Sequence, residues 1–203
     1  MRRLKLGVLG SGRGSNFVAL AKAVEMGELD AEFVLVGCDQ AGAKICEEAE
    51  ARGIRTWVCP KGKYQTKLEP EIEEELGRKL VDAGAELVVL AGYMRVVKAP
   101  LLDRYRGAMV NIHPSLLPAF PGLKAWEQAW QAGVKETGCT VHWVNEVVDG
   151  GSILRQTKVA VRQGESAEEL HRRIQEAEHR LLPEVVMDLA EGRIPWLKDP
   201  RKK

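Results

Sequence analysis

Glu86-Leu87-Val88-Val89-Leu90-Ala91 is almost uninterrupted apolar sequence, and its reading decides the fold. Side chains of a strand alternate between two faces, so a half-buried strand shows apolar residues at every second position. Here both sets are apolar, which predicts a central strand covered on both faces. Upstream the chain alternates between two periods. Leu4 to Leu9 reads as a strand, Ser15 to Met26 as a helix and Ala31 to Cys38 as a strand rich in Val, Leu and Phe. A helix over about Ala41 to Arg52 and a short strand over Ile54 to Val58 follow. After the Pro60 to Tyr64 loop, Pro70 falls in the first turns of a helix whose Ile72, Leu76 and Leu80 recur at steps of four. Strands separated by helix-length segments imply parallel pairing through right-handed crossovers.

Downstream, Ala108 to Ile112 is a fifth strand, and after His113 the pattern changes. Gly138 to Asn145 and Ser152 to Val161 are two longer strand-like runs joined by residues 146–151, an antiparallel pair expected at one sheet edge. Ser166 and Glu169 form a capping box for a closing helix, with Leu170, Ile174, Ala177 and Leu181 as its inward stripe. The expected class is α/β: a Rossmann-like, mostly parallel twisted sheet with helices on both faces and an antiparallel edge pair. No repeat, low-complexity tract or composition shift divides residues 1–203, so one domain is expected.

Composition narrows the function. Lys and Arg number 30 against 29 Asp and Glu, a net charge of +1, which argues against a broad nucleic-acid or membrane surface. Arg201-Lys202-Lys203 is too short to alter this and is expected to fray. No apolar stretch approaches the roughly 20 residues needed to span a bilayer, and nothing reads as a signal peptide. Cys38, Cys46, Cys59 and Cys139 lack CxxC spacing, so neither a zinc site nor a redox pair is expected, and the compartment is expected to be the reducing cytoplasm.

Three segments carry chemistry. In Val110-Asn111-Ile112-His113-Pro114-Ser115-Leu116-Leu117-Pro118, strand alternation sends Asn111 and His113 to one side. An amide donor beside an imidazole suits a reaction in which a carbonyl oxygen becomes negative while a proton moves; a His capping a carbonyl in a turn is the plainer reading. Gly10-Ser11-Gly12-Arg13-Gly14-Ser15-Asn16 lies between the first strand and first helix, where free N–H groups and the helix dipole favour an anion. A dinucleotide fingerprint would need a third glycine at Ser15, although Asp39 stands where a ribose-binding acid belongs. A phosphate monoester fits at least as well, with Ser15 and the Asn16 amide as added donors. Asp149-Gly150-Gly151 is an ordinary turn in isolation, but apolar neighbours would desolvate Asp149 and raise its pKa.

These segments, together with Leu90-Ala91-Gly92-Tyr93-Met94-Arg95, Val141 to Gly151 and Gln175-Glu176-Ala177-Glu178-His179, occur in a recognisable order. From about Leu4 to Trp196 the chain closely resembles the phosphoribosylglycinamide formyltransferases, the folate-dependent enzymes of purine synthesis. Methionyl-tRNA formyltransferases typically carry Ala where this chain has Pro114, and formyltetrahydrofolate deformylases a second His; the extra domain of each is not expected in this length.

The resemblance implies transfer of a formyl group from 10-formyltetrahydrofolate, as co-substrate, to the amine of glycinamide ribonucleotide, with no metal. It implies Asn111, His113 and Asp149 as catalytic residues. Gly14, Ser15, Asn16 and Glu178 would hold the ribonucleotide. Met94, Arg95, Val96 and Val97 would line the folate pocket, with Asn111, Val144, Asn145 and Val148 opposite and Lys67 near the folate's glutamate carboxylate. The phosphate-binding half would span about 1–100 and the folate-binding and catalytic half about 101–196. Small-molecule partners alone are expected, in a monomer or weak homodimer. One departure stands out: where the family usually has His, this chain has Trp126, a difference expected to concern loop packing. A nicotinamide-binding protein using Gly10, Gly12 and Asp39 is a competing reading, as is a silent folate-binding module.

Overall fold

The computed structural model describes residues 3–200; Arg201-Lys202-Lys203, expected to fray, lies outside them. Seven strands form one sheet, and their chain order alternates with helices until the edge pair. The elements are β1 (Leu4–Gly10), α1 (Ser15–Glu25), β2 (Ala31–Cys38), α2 (Lys44–Glu50), β3 (Thr56–Val58), α3 (Pro70–Asp82) and β4 (Leu87–Leu90). Then come α4 (Ala99–Arg104), β5 (Met109–His113), α5 (Ala125–Gln131), β6 (Glu136–Trp143), β7 (Ile153–Ala160) and α6 (Ala167–Ala190). The strand order is β3-β2-β1-β4-β5-β6-β7. Pairs from β3 to β5 are parallel, and β6 and β7 add the antiparallel edge.

The apolar run in β4 explains itself here. Leu87 and Val89 join the core beneath α1 and α6, whereas Val88 and Leu90 join a second core beneath α3 and α4. Both faces are covered, so alternation of polarity would leave buried polar groups on one side. Pro70 is the first residue of α3, where its missing N–H costs nothing. The Ser166–Glu169 capping box forms as expected and starts α6.

Among the differences from expectation, four elements stand out. The second helix starts only at Lys44, because the segment before it is a turn with Gly42 at φ 73°. The helices α4 and α5, six and seven residues long, were not anticipated; so few turns leave no periodic stripe to read. β6 begins two residues early and ends at Trp143, leaving Val144 and Asn145 in the following loop.

The chain reverses direction across the sheet at β1, whose neighbours are β2 and β4. In such sheets the crevice at the carboxyl ends beside the reversal receives ligands. The loops after β1, β4 and β5 all leave at that end.

Candidate active site

The loop after β1 presents an anion site through backbone geometry. Gly14 caps α1 with φ 73°, and among the described residues no side chain caps the helix start, which leaves its first N–H groups open to an anion. A Cβ at Gly14 would stand 2.8 Å from the Ile45 Cβ and 2.9 Å from its Cα, so α2 packs directly on the turn. Ser15 is the first residue of α1. Asn16 was expected as a further phosphate donor, but its buried Nδ2 donates to Glu178 Oε2 at 3.0 Å, while its Oδ1 has no partner among the described residues. Glu178 lies 5% exposed on α6. Burial pushes its carboxyl up to about 7, against the opposing bond from Asn16.

The exit of β5 builds the second part. Strand parity places Asn111 and His113 on one side, and β6 pairs His142 opposite Asn111. His113 Nε2 lies 2.9 Å from the Phe120 carbonyl; a carbonyl only accepts, so the proton belongs on Nε2. Nδ1 then faces Asp149 Oδ2 at 3.4 Å. His142 is fixed in the opposite tautomer: Nδ1 donates to the Trp143 carbonyl at 2.8 Å, and Nε2 accepts from Asn111 Nδ2 at 3.1 Å. Asp149 accepts from the Gly122 N–H at 2.8 Å and from Asn111 at 3.5 Å, and lies 3.6 Å from His142 Nε2. It sits in left-handed backbone, φ 54°, a conformation Asp tolerates better than most side chains.

The expected upward shift of Asp149 is corrected by these contacts. Burial does push its carboxyl up, but the His142 and Gly122 interactions and the positive charge that both imidazoles carry at the acid pH where a carboxyl titrates outweigh it, and the net shift is downward. Burial lowers His113, and the nearby His142 adds to this, against the Phe120 carbonyl and the Asp149 charge. At neutral pH the pair is therefore a carboxylate facing an unprotonated Nδ1. One proton fits between them.

The pocket's other walls come from the loops after β4 and β6. Ser11 stitches the first of these to the glycine loop, donating its N–H to Gly92 O at 3.1 Å and accepting from Met94 N at 2.8 Å. Met94, Val147 and Val148 are exposed apolar side chains at the rim. Asn145 shapes its own loop, accepting from Val147 N and donating to Gly150 O. Arg95 was expected to offer mainly lining; its guanidinium is in fact held by Asp39 at 2.5 Å and the Tyr64 carbonyl at 2.5 Å. Because the Asp39 side chain is 1% exposed and committed to Arg95, it has no free face for a ribose.

One cleft of about 600 Å³ gathers all of this. Gly14, Ser15, Asn16, Met94, Arg95, Val96, Val97, Asn111, His113, Val144, Asn145, Val148, Asp149 and Glu178 all line it. Lys67 does not: its ammonium rests 4.5 Å above the Tyr64 ring, outside the lining. His142 was not singled out as a site residue, although its alternation with Thr140 and Val144 placed it on a strand face; only the β5–β6 register reveals its partner. Trp126 also lines the cleft and stacks on His171. Among the described residues, no group of His, Cys, Asp and Glu is arranged to hold a metal ion.

The sequence profile described as formyl transferase matches residues 4–186, most of the chain. The chain belongs to the formyl transferase family. This formyl transferase is 41% identical over 185 residues to the phosphoribosylglycinamide formyltransferase of Bacillus subtilis, covering 91% of this chain and 94% of that one. It is 35% identical over 206 residues to the human trifunctional purine biosynthetic protein adenosine-3, covering 98% of this chain but only 20% of the larger protein. Among solved structures, glycinamide ribonucleotide transformylase 1 from Symbiobacterium toebii superposes with a TM-score of 0.90 at 41% identity, covering 95% of this chain and 90% of that one.

Proposed function

We propose that this formyl transferase moves the formyl group of 10-formyltetrahydrofolate to the amine of glycinamide ribonucleotide, giving formylglycinamide ribonucleotide and tetrahydrofolate during purine synthesis. The observation that carries the reading is that the uncapped start of α1 and the Asn111–His113–Asp149 cluster open into one cleft. A phosphate held at the first places the rest of a small ribonucleotide toward the second, and the apolar rim at Met94, Val147 and Val148 suits a flat pterin. The chain works as one domain, residues 1–203, with its phosphate half about 1–100 and its folate and catalytic half about 101–196. It acts on small molecules, in the cytoplasm, as a monomer or weak homodimer.

The amine lone pair forms a bond to the formyl carbon, and the carbonyl electrons move onto oxygen. In the free protein Asn111 Nδ2 faces His142 and Asp149; the long 3.5 Å contact to Asp149 is the one exchanged for the developing oxyanion. The proton released by the amine enters the gap between His113 Nδ1 and Asp149 and passes to the folate nitrogen. That protonation lets the carbon–nitrogen bond to the folate break as the electrons on the oxyanion return and re-form the carbonyl. A preorganised donor of this kind is worth roughly 3 kcal/mol, on the order of 100-fold in rate. His142 contributes by holding the Asn111 amide in place.

Folate release, followed by absorbance with and without glycinamide ribonucleotide, tests the proposal. Release that requires the ribonucleotide supports it. Release at an equal rate into water, without any amine, overturns it in favour of hydrolysis.

A further inference from the structure

Trp126 and His171 lie face to face, ring centroids 3.8 Å apart and planes 5° from parallel. Both line the cleft. His171, Gln175 and Glu178 are four and three residues apart on α6 and so share one helical face. The far end of that face meets the glycine loop through the Glu178–Asn16 bond, and all three line the cleft beside Arg13, Gly14 and Ser15. Arg13 is exposed, and its charge reaches His171. Among the described residues no protein group bonds either ring nitrogen of His171, and neither nitrogen is a buried orphan. A stacked imidazole with free nitrogens, aligned with an anion site and flanked by an arginine, has the makings of a phosphate contact.

Resting on the acceptor proposed above, we propose that His171, held flat by Trp126 beside Arg13, is a phosphate-positioning residue that donates a ring N–H to the ribonucleotide's phosphate. In the free protein burial and the Arg13 charge hold His171 below its ordinary value, and Glu168 pulls the other way from one turn earlier on α6. On the facing element, Lys124 at the start of α5 is paired with Glu127 and also sees Glu168. A phosphate dianion entering between Arg13 and His171 turns like-charge repulsion into attraction on both sides. The imidazole then takes up a proton as the ligand binds, and the Trp126 face favours the resulting cation. Trp126 thus does more than pack a loop: its indole fixes the ring plane and steadies the charge.

The test follows the His171 ring nitrogens by NMR in the whole protein, with ribose 5-phosphate and with ribose as the unphosphorylated control. Ribose 5-phosphate is expected to raise the His171 titration midpoint and ribose to leave it unmoved. In steady-state kinetics, His171→Ala is expected to raise the KM for glycinamide ribonucleotide about 10-fold, the scale of one hydrogen bond to a charged group, with kcat nearly unchanged. His171→Gln should fall between, since it keeps a donor and loses the charge, and Trp126→Ala should move KM in the same direction by less. An unmoved midpoint with unchanged KM in His171→Ala overturns the assignment, as does an equal midpoint shift with ribose. The NMR arm needs no turnover, so a shifted midpoint in a protein that fails to formylate glycinamide ribonucleotide would sink the proposed reaction and leave the His171 site standing.

Discussion

Replacing Asp149 by Asn removes one negative charge from the cleft while keeping the side chain's size. It also keeps an oxygen able to accept the 2.8 Å bond from the Gly122 N–H, and Asn is at ease at the left-handed φ of 54°. The fold should therefore tolerate the change, and the loss should be electrostatic. His113 Nδ1 and Asp149 Oδ2 are 3.4 Å apart with side chains only 6% and 9% exposed. At an effective dielectric constant of about 20, unit charges at that distance attract by about 5 kcal/mol, or roughly three and a half decades in rate if all of it is expressed in the transition state. The imidazolium forms only transiently, so turnover is expected to fall about 10³-fold, with both KM values within about threefold. The Asp149 charge also raises the His113 pKa, so the variant's His113 should titrate lower, which ring-nitrogen NMR reads directly. A variant that keeps more than about a tenth of wild-type turnover would refute the reasoning, because no buried charge of this geometry could then be assisting proton transfer.

Other perturbations separate the parts of the cleft. Ser15→Ala should raise the KM for glycinamide ribonucleotide about 10-fold and leave that for the folate unchanged; equal losses for both ligands would count against a phosphate at the start of α1. Gly14→Val is expected to unfold the chain, since its Cβ would meet Ile45 at 2.8 Å from a left-handed backbone; circular dichroism of a folded, fully stable variant would contradict this. Glu178 is raised from 4.5 to about 7 in the fold, so its neutral form stabilises the protein fully below pH 4.5, and that stability is lost as pH rises toward 7. Glu178→Gln should remove this loss, gaining up to about 3 kcal/mol above pH 7 in chemical denaturation, while weakening the ribonucleotide; a stability–pH curve parallel to the wild type would refute it. Ser166→Ala removes the cap of α6 and should cost about 1 kcal/mol, a Tm drop of roughly 2–4 °C by calorimetry, with kcat unchanged.

What could be read in the sequence, and what could not, follows from the range of each interaction. The doubly apolar Leu87–Leu90 segment announced its central place because burial on both faces leaves a local signature. Asn111 and His113 were paired by strand parity alone. His142 was not, because its meeting with Asn111 depends on the β5–β6 register, which joins residues 31 apart. The Asp149 shift runs opposite to expectation for a related reason: apolar neighbours are visible in the chain, whereas it is the folding of the Asp149 loop onto β5 and β6 that brings its carboxylate to the Gly122 N–H and both imidazoles. Asn16 and Glu178, 162 residues apart, were each recognised by resemblance, but their bond to one another was not. Lys67 sits in an irregular segment with no period to anchor it, and the Tyr64 ring, not the cleft, receives its ammonium.

Tracing the formyl carbon tests the whole account most directly. With the formyl group isotopically labelled on the folate, wild-type protein should deliver the label to the glycinamide nitrogen of the ribonucleotide, and Asp149→Asn should deliver almost none in the same time. Label recovered as free formate from both proteins would contradict a cleft built to pass a formyl group between two bound partners.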